Sequence, residues 1–279
     1  MTRVALPSRG RLRDEVITLL DHAGFSVSAF RGADARATIE GIEFIEMRPR
    51  DAAAWLAAGR LTAAFISTDI AMEFELDGWP YADLGFAKSD LVLAARDDDE
   101  RREAPEFAGG VVATHMPAVT RRWFAERSID VTVVPMGGAL EGVCAAGLAD
   151  AIVDLRETGA SLVRNRLRVV EEMQACQARF VRTVESGSEL ADLELRIGAA
   201  LDARQRQYLL LHLPPERLDD LTALFHGLAA PTVLPLSERD DLVAAHLVVE
   251  RSDLWAKLGA LRDIGATGIV ALPTDAVLP

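Results

Sequence analysis

Lysine is almost missing from this 279-residue chain: Lys88 and Lys257 are the only two, and the other basic residues are arginines. A Walker loop needs its lysine, and no GxxxxGK[ST] occurs; a GxSxG nucleophile elbow is also absent. Cysteine is scarce. Cys144 and Cys176 lie far apart with no CxxC pattern, which excludes a disulfide framework and fits a reducing compartment. The five histidines show no HxxH, HxH or HExxH spacing, so a dedicated zinc site is not expected and each is read as a surface or interface residue. No apolar run is long enough to span a bilayer, and the N-terminus has no apolar signal core. A cytoplasmic location with no membrane partner is expected. Positive charge is in deficit, with a formal net charge of −13, so nucleic acid is a poor partner for the whole chain. Small polyanions remain open to it through local arginine clusters and backbone N–H groups.

What is present alternates. Strand-like runs (RVALPS, IEFIEMR, LTAAFIST, LVLAAR, GVVAT, DVTVVPM, DAIVDL) are separated by helical patterns, which indicates an α/β protein with largely parallel sheets. The helix RLRDEVITLLDHAGF has Leu12, Val16, Leu19 and Leu20 on one face and stops at Gly24. ARDDDERREAPEFAGG reads as a charged surface loop, and Trp55, Trp123 and Trp255 as core residues. From Tyr208 the order becomes βαββαβ, the ferredoxin-like pattern, with GAALDARQRQ as a connecting helix before it.

Three segments carry candidate chemistry. In GLADAIVDLRETGASL a strand ends at a turn formed by Glu157, Thr158, Gly159, Ala160 and Ser161. Backbone N–H groups at such a turn form a concave anion site, Gly159 permits close approach, and Thr158 and Ser161 add hydroxyls. Asp154 and Glu157 make sense there if the ligand also offers ribose hydroxyls or a magnesium ion. A plain helix cap by Thr158 or Ser161 is the competing reading. PSRGRL places Arg9 and Arg11 around Gly10 at a helix start, and MRPRD places Arg48, Arg50 and Asp51 after another strand. Together these strand ends outline a ligand crevice at the carboxyl edge of an α/β sheet.

With these pieces in order, the chain resembles the long form of the ATP phosphoribosyltransferase family, enzymes of histidine biosynthesis. The resemblance covers nearly the whole length through LPSRGRL, RPRD, DLGFAKSDLVLA, VATHMPAVTRRWFAERSIDV, GALE, GLADAIVDLRETGASL, APTVLPL and IGATGIVALP. It implies a two-lobed catalytic part like a periplasmic-binding protein, followed by an ACT-like regulatory domain. The implied boundaries are residues 1–86 with 170–204 for the first lobe, 87–169 for the second, and 205–279 for the regulatory domain. The implied reaction joins N1 of ATP to the anomeric carbon of phosphoribosyl pyrophosphate with release of pyrophosphate. Magnesium accompanies the substrates, histidine is the feedback inhibitor, and dimers and hexamers interconvert. Residue by residue, the resemblance puts ribose and 5′-phosphate at Asp154, Glu157, Thr158, Gly159, Ala160, Ser161 and Leu162, with Glu141 beside them. It assigns Asp154 and Glu141 as the catalytic pair. Arg9, Arg11, Arg48, Asp51 and Asp69 then line the nucleotide and pyrophosphate side, and Thr232 and His212 the effector pocket.

The chain departs from the family pattern at Ala64 and Ser67, where glycines are expected before Asp69, at Ser8 and Arg9, where lysine is frequent, and at Gly137. A serine forced to positive φ at 67 would strain the backbone. Two other readings therefore stay open: a catalytically silent ligand-binding protein of the same fold, and a phosphoribosyltransferase acting on another base.

Overall fold

The computed structural model describes residues 2–31, 35–185, 187–226 and 230–278. β1 (Thr2–Pro7) leads into α1 (Gly10–His22). β2 (Arg36–Ile39), β3 (Ile42–Met47), α2 (Pro49–Ala57), β4 (Ala63–Ser67), α3 (Thr68–Glu73) and β5 (Tyr81–Asp83) follow. β1 runs parallel to β3 and β4, so these three strands end at one edge. Val4–Leu6 of β1 and Ala63–Ile66 of β4 are fully buried, as strands covered on both faces require.

The chain then builds a second sheet from β6 (Ser89–Arg96), β7 (Val111–Thr114), α4 (Pro117–Glu126), β8 (Thr132–Pro135), α5 (Leu140–Ala145), β9 (Ala151–Arg156), α6 (Ala160–Arg164) and β10 (Leu167–Cys176). Its strand order is β10-β6-β9-β7-β8. β11 (Ala178–Arg182) returns to the first sheet, whose order is β2-β3-β1-β4-β11-β5. Two α/β lobes joined by two crossings give the arrangement of periplasmic-binding proteins. The return comes after Cys176, later than the expected residue 170, because β10 stays paired with β6 from Leu167↔Arg96 to Cys176↔Ser89.

After α7 (Ser188–Gln205) come β12 (Arg206–Leu213), α8 (Leu218–Leu224), β13 (Thr232–Leu236), β14 (Arg239–Glu250), α9 (Arg251–Asp263) and β15 (Thr267–Pro273). This is the βαββαβ order, with an antiparallel sheet β13-β14-β12-β15. Alternate residues Leu209, Leu211 and Leu213 of β12 pack in one core with Leu221 of α8 and Leu254 and Leu261 of α9. The helical pattern PERLDDLTALFHGL, residues 215–228, starts as a 3-10 turn, Pro215–Arg217, and its residues 227 and 228 lie outside the described residues. By contacts the chain forms two compact units: residues up to Ile17 with Val27–Leu190, and Thr18–Ser26 with residues from Ala191 onward. Most of α7 thus groups with the C-terminal sheet. No helix among the described residues is long and apolar enough to cross a membrane.

Two expectations fail on burial. Trp123 is core, but Trp55 is 54% and Trp255 64% exposed, on outer helix faces. The charged excursion after β6 is not simply surface. Ala104 and Phe107 are buried in a 3-10 turn, and Arg101 lies over the Phe107 ring while bonding Asp99 and Asp150.

Candidate active site

The turn after β9 is held from below. Leu140 of α5 and Leu162 of α6 are buried in one cluster with Val92, Ala113 and Ile152 of the second sheet. Their neighbours Glu141 and Ser161 stand at the rim, where the Ser161 hydroxyl donates to the Glu141 carboxylate. Gly159 has φ +76°, and an added Cβ would meet only ordinary contacts, so glycine is required there by conformation and not by space. Ala139, just before α5, takes φ +58° without being glycine, a strained position beside Glu141. The result is a cavity of about 240 Å³ lined by Glu141 and every residue from Asp154 to Leu162. All the residues expected of the loop are brought together. α6 has only five residues, so the donors are local N–H groups and the Thr158 hydroxyl, because the Ser161 proton is directed at Glu141.

The two carboxylates are driven apart in acidity. The Ser161 hydroxyl holds Glu141 below the usual carboxylate range. Burial pushes Asp154 up, opposed by the Leu155 N–H that donates to it at 2.8 Å. Such a split gives one reliably ionised group and one that takes a proton more readily.

From the first lobe, Arg11 reaches the loop, its guanidinium 3.7 Å from the Glu157 carboxylate, with both side chains exposed. Arg9 is exposed on the same β1–α1 turn. Ser8 N–H donates to Met47 O at 3.0 Å, which sets that turn beside the end of β3, where Arg48 and Asp51 sit exposed at the start of α2. Asp69 differs from its expected place. It is 1% exposed at the start of α3, where burial pushes its pKa up against hydrogen bonds from the Ser67 hydroxyl and the local backbone. Buried in this way, it bonds within its own turn, while its Oδ1 makes no hydrogen bond among the described residues. The expected strain at Ser67 is absent as well, because φ is −104°. Ala64 pairs with Ala5 and Val181 inside the sheet, where a small side chain fits.

Three residues at this end of the cleft, Glu73, Thr114 and His115, carried no recognisable signal or were passed over, and Arg50 links Glu73 to His115. Glu73 of α3 accepts from the Ala118 and Val119 N–H groups at 2.9 and 3.0 Å, capping α4 of the other lobe. It also pairs with Arg50 at 3.1 Å, and Arg50 donates to the His115 carbonyl at 2.9 Å. Thr114, fully buried, donates to Val153 O and accepts from Met116 N–H. His115 follows β7, with Nδ1 2.8 Å from Met136 O. Arg50 was legible in RPRD. Glu73 was not, since a carboxylate that caps a distant helix leaves no local pattern.

In the C-terminal unit, Thr232 of β13 pairs with His246, and Leu210 pairs with His246 from the other side. The alternation places Thr232, His246, Tyr208 and His212 on the sheet face opposite the helices. The Tyr208 hydroxyl and His246 Nδ1 are hydrogen-bonded. His212 lies close to Gly268, where a Cβ would come within 3.1 Å of its Nδ1. Among the described residues no group of three or more His, Cys, Asp or Glu is placed to hold a metal ion.

Fold and cavity define a two-lobed α/β protein with a glycine turn lined by carboxylates and hydroxyls, followed by a ferredoxin-like C-terminal domain. Residues 48–199 match the HisG family, ATP phosphoribosyltransferase, and residues 203–276 match the HisG C-terminal domain. ATP phosphoribosyltransferase of Methanocella arvoryzae is 31% identical over the full length of both chains, and that of Halobacterium salinarum is 34% identical over 96% of each. A chain of the ATP phosphoribosyl transferase (HisG:HisZ) complex from Thermotoga maritima superposes with a TM-score of 0.58 at 28% identity, covering 71% of this chain and 94% of that one. The chain belongs to the ATP phosphoribosyltransferase family. It is a pentosyltransferase of the first step of histidine biosynthesis.

Proposed function

We propose that the Asp154–Leu162 cavity binds phosphoribosyl pyrophosphate and that adenine N1 of ATP is delivered to it from the first-lobe side. The observation that carries this is the lining itself: one turn supplies anion donors while Glu141 and Asp154 stand at its rim as acceptors. The turn's N–H groups and Thr158 hold the 5′-phosphate, and the two carboxylates accept from ribose hydroxyls. Arg11, with Arg9 and Arg48, faces the pyrophosphate; Asp51 lies at the same edge.

The N1–C1′ bond forms as the C1′–O bond breaks, and the electron pair leaves with pyrophosphate. Positive charge develops on the ribose ring in the transition state, so ionised Glu141 opposite it favours the step electrostatically. Adenine N1 carries no proton at neutral pH, so no general base is needed, and the chain's part is alignment and charge placement. The oxygen-only donor set of Asp154 and Glu141 suits magnesium, an ion held by one or two carboxylates with substrate phosphates and water. When bound, it neutralises the leaving pyrophosphate.

Histidine acts as feedback inhibitor at the C-terminal domain, with Thr232 and His212 on its exposed sheet face. The enzyme is cytoplasmic and exchanges between dimer and hexamer. The silent-protein reading loses its main support, since Ser67 is unstrained. The test is formation of phosphoribosyl-ATP from ATP and phosphoribosyl pyrophosphate, followed by absorbance, with and without magnesium and L-histidine. Magnesium-dependent product suppressed by histidine supports the reading. Histidine binding without product would sink it in favour of the silent protein.

A further inference from the structure

We propose that His115 is a substrate-contacting residue of this site, its Nε2 accepting a hydrogen bond from a hydroxyl of the donor's pentose. The proposal rests on the reading of the Asp154–Leu162 loop as the phosphoribosyl site.

Placement comes first. Thr114 pairs in parallel with Val153 on one side and with Pro135 on the other. The next residues, His115, Asp154 and Met136, therefore leave three adjacent strands at the same level. Thr114 is turned into the core, so the alternation of side chains turns His115 to the other face, with Asp154. The ring is also close enough to both Asp154 and Glu141 to be felt by each.

The ring's chemistry is set by its one contact. A carbonyl only accepts, so the 2.8 Å approach to Met136 O puts the hydrogen on Nδ1. In the neutral ring the lone pair is then on Nε2, which makes no hydrogen bond among the described residues. Its neighbours Glu141 and Asp154 are acceptors too. Three acceptors together suit hydroxyl donors and not phosphate oxygens, which are acceptors themselves.

The support is rigid. Arg50 holds the His115 carbonyl, Thr114 holds the next N–H, and Glu73 fixes both Arg50 and the start of α4. Residues from both lobes thus lock a half-buried ring whose one free nitrogen has no structural task. Such locking is what a substrate contact requires.

Steady-state kinetics of the full-length enzyme with ATP, phosphoribosyl pyrophosphate and magnesium test this. In His115→Asn the amide nitrogen stands near Nδ1 and keeps the Met136 contact, while Nε2 is lost. In His115→Gln an amide reaches the Nε2 position. We expect H115N to raise the KM for phosphoribosyl pyrophosphate about tenfold, the worth of one hydrogen bond to a polar partner. The KM for ATP should stay within about twofold, and H115Q should recover most of the loss. Donor kinetics unchanged in H115N would overturn the proposal. So would equal impairment of both variants with lowered melting temperatures, which marks a structural role. A wild-type protein making no phosphoribosyl-ATP overturns the site reading itself, whereas an active wild type indifferent to H115N overturns this inference alone.

Discussion

Glu73→Ala probes the tie between the two lobes. One carboxylate oxygen accepts from Arg50 at 3.1 Å, and the other accepts from Ala118 and Val119 at 2.9 and 3.0 Å. Those two N–H groups are orphan donors of the first turn of α4, whose own N-cap, Met116, offers no side-chain bond. Losing a helix cap costs about 1–2 kcal/mol. The ion pair adds about 1 kcal/mol at most, because the Arg50 side chain is 44% exposed and rehydrates. The buried methylenes add about 1 kcal/mol. The sum is about 3 kcal/mol, or roughly 6–12 °C in melting temperature for a unit of this size. Glu73→Gln keeps an oxygen for the helix end and should cost only about 1 kcal/mol. Urea unfolding followed by circular dichroism, with midpoints compared at unchanged m-value, measures both variants. An alanine variant within about 0.5 kcal/mol of wild type, or a glutamine variant as damaged as alanine, would refute the cross-lobe cap.

Two further expectations follow from the charged groups. Ser161→Ala removes the hydroxyl that keeps Glu141 acidic, so the acid limb of the kcat/KM profile should move to higher pH and activity should fall about tenfold; an unmoved limb would sink the assignment of Glu141. Asp99 is lowered to about 2, first by its hydrogen bonds with Arg101. Its folded value lies below its unfolded one, so its stabilisation is present above about pH 4 and disappears as pH falls toward 2. Asp99→Asn should flatten the stability–pH slope in that window, and parallel slopes for the two proteins would contradict this.

Local signals were legible where one element carries both pattern and function. The βαββαβ order followed from alternation in β12 and β14 and from two amphipathic helices. The cavity-lining turn followed because strand, glycine and hydroxyls are contiguous from Asp154 to Leu162. The lobe boundary that the resemblance implied near residue 170 slipped because pairing decides it: β10 stays with β6 from Leu167 to Cys176, through two register irregularities. Exposure slipped too, since Trp55 and Trp255 sit at helical spacing but on largely exposed faces.

By itself the sequence determined the elements, the turn after β9 and its required glycine, because periodicity and positive φ are local properties of a chain. It also identified the family, through motifs that stand in order along its length. Tertiary structure alone decided which carboxylates meet. Glu141 and Ser161 are joined because Leu140 and Leu162 are buried in one core, and Glu73 serves a helix 44 residues away in the other lobe. Asp69 is buried at the start of α3, and strand register sets His115 beside Asp154 at the ends of β7 and β9, which no short window of sequence contains. Hydrogen bonds between residues so far apart depend on the packing that brings them together, and that packing exists only in the folded chain.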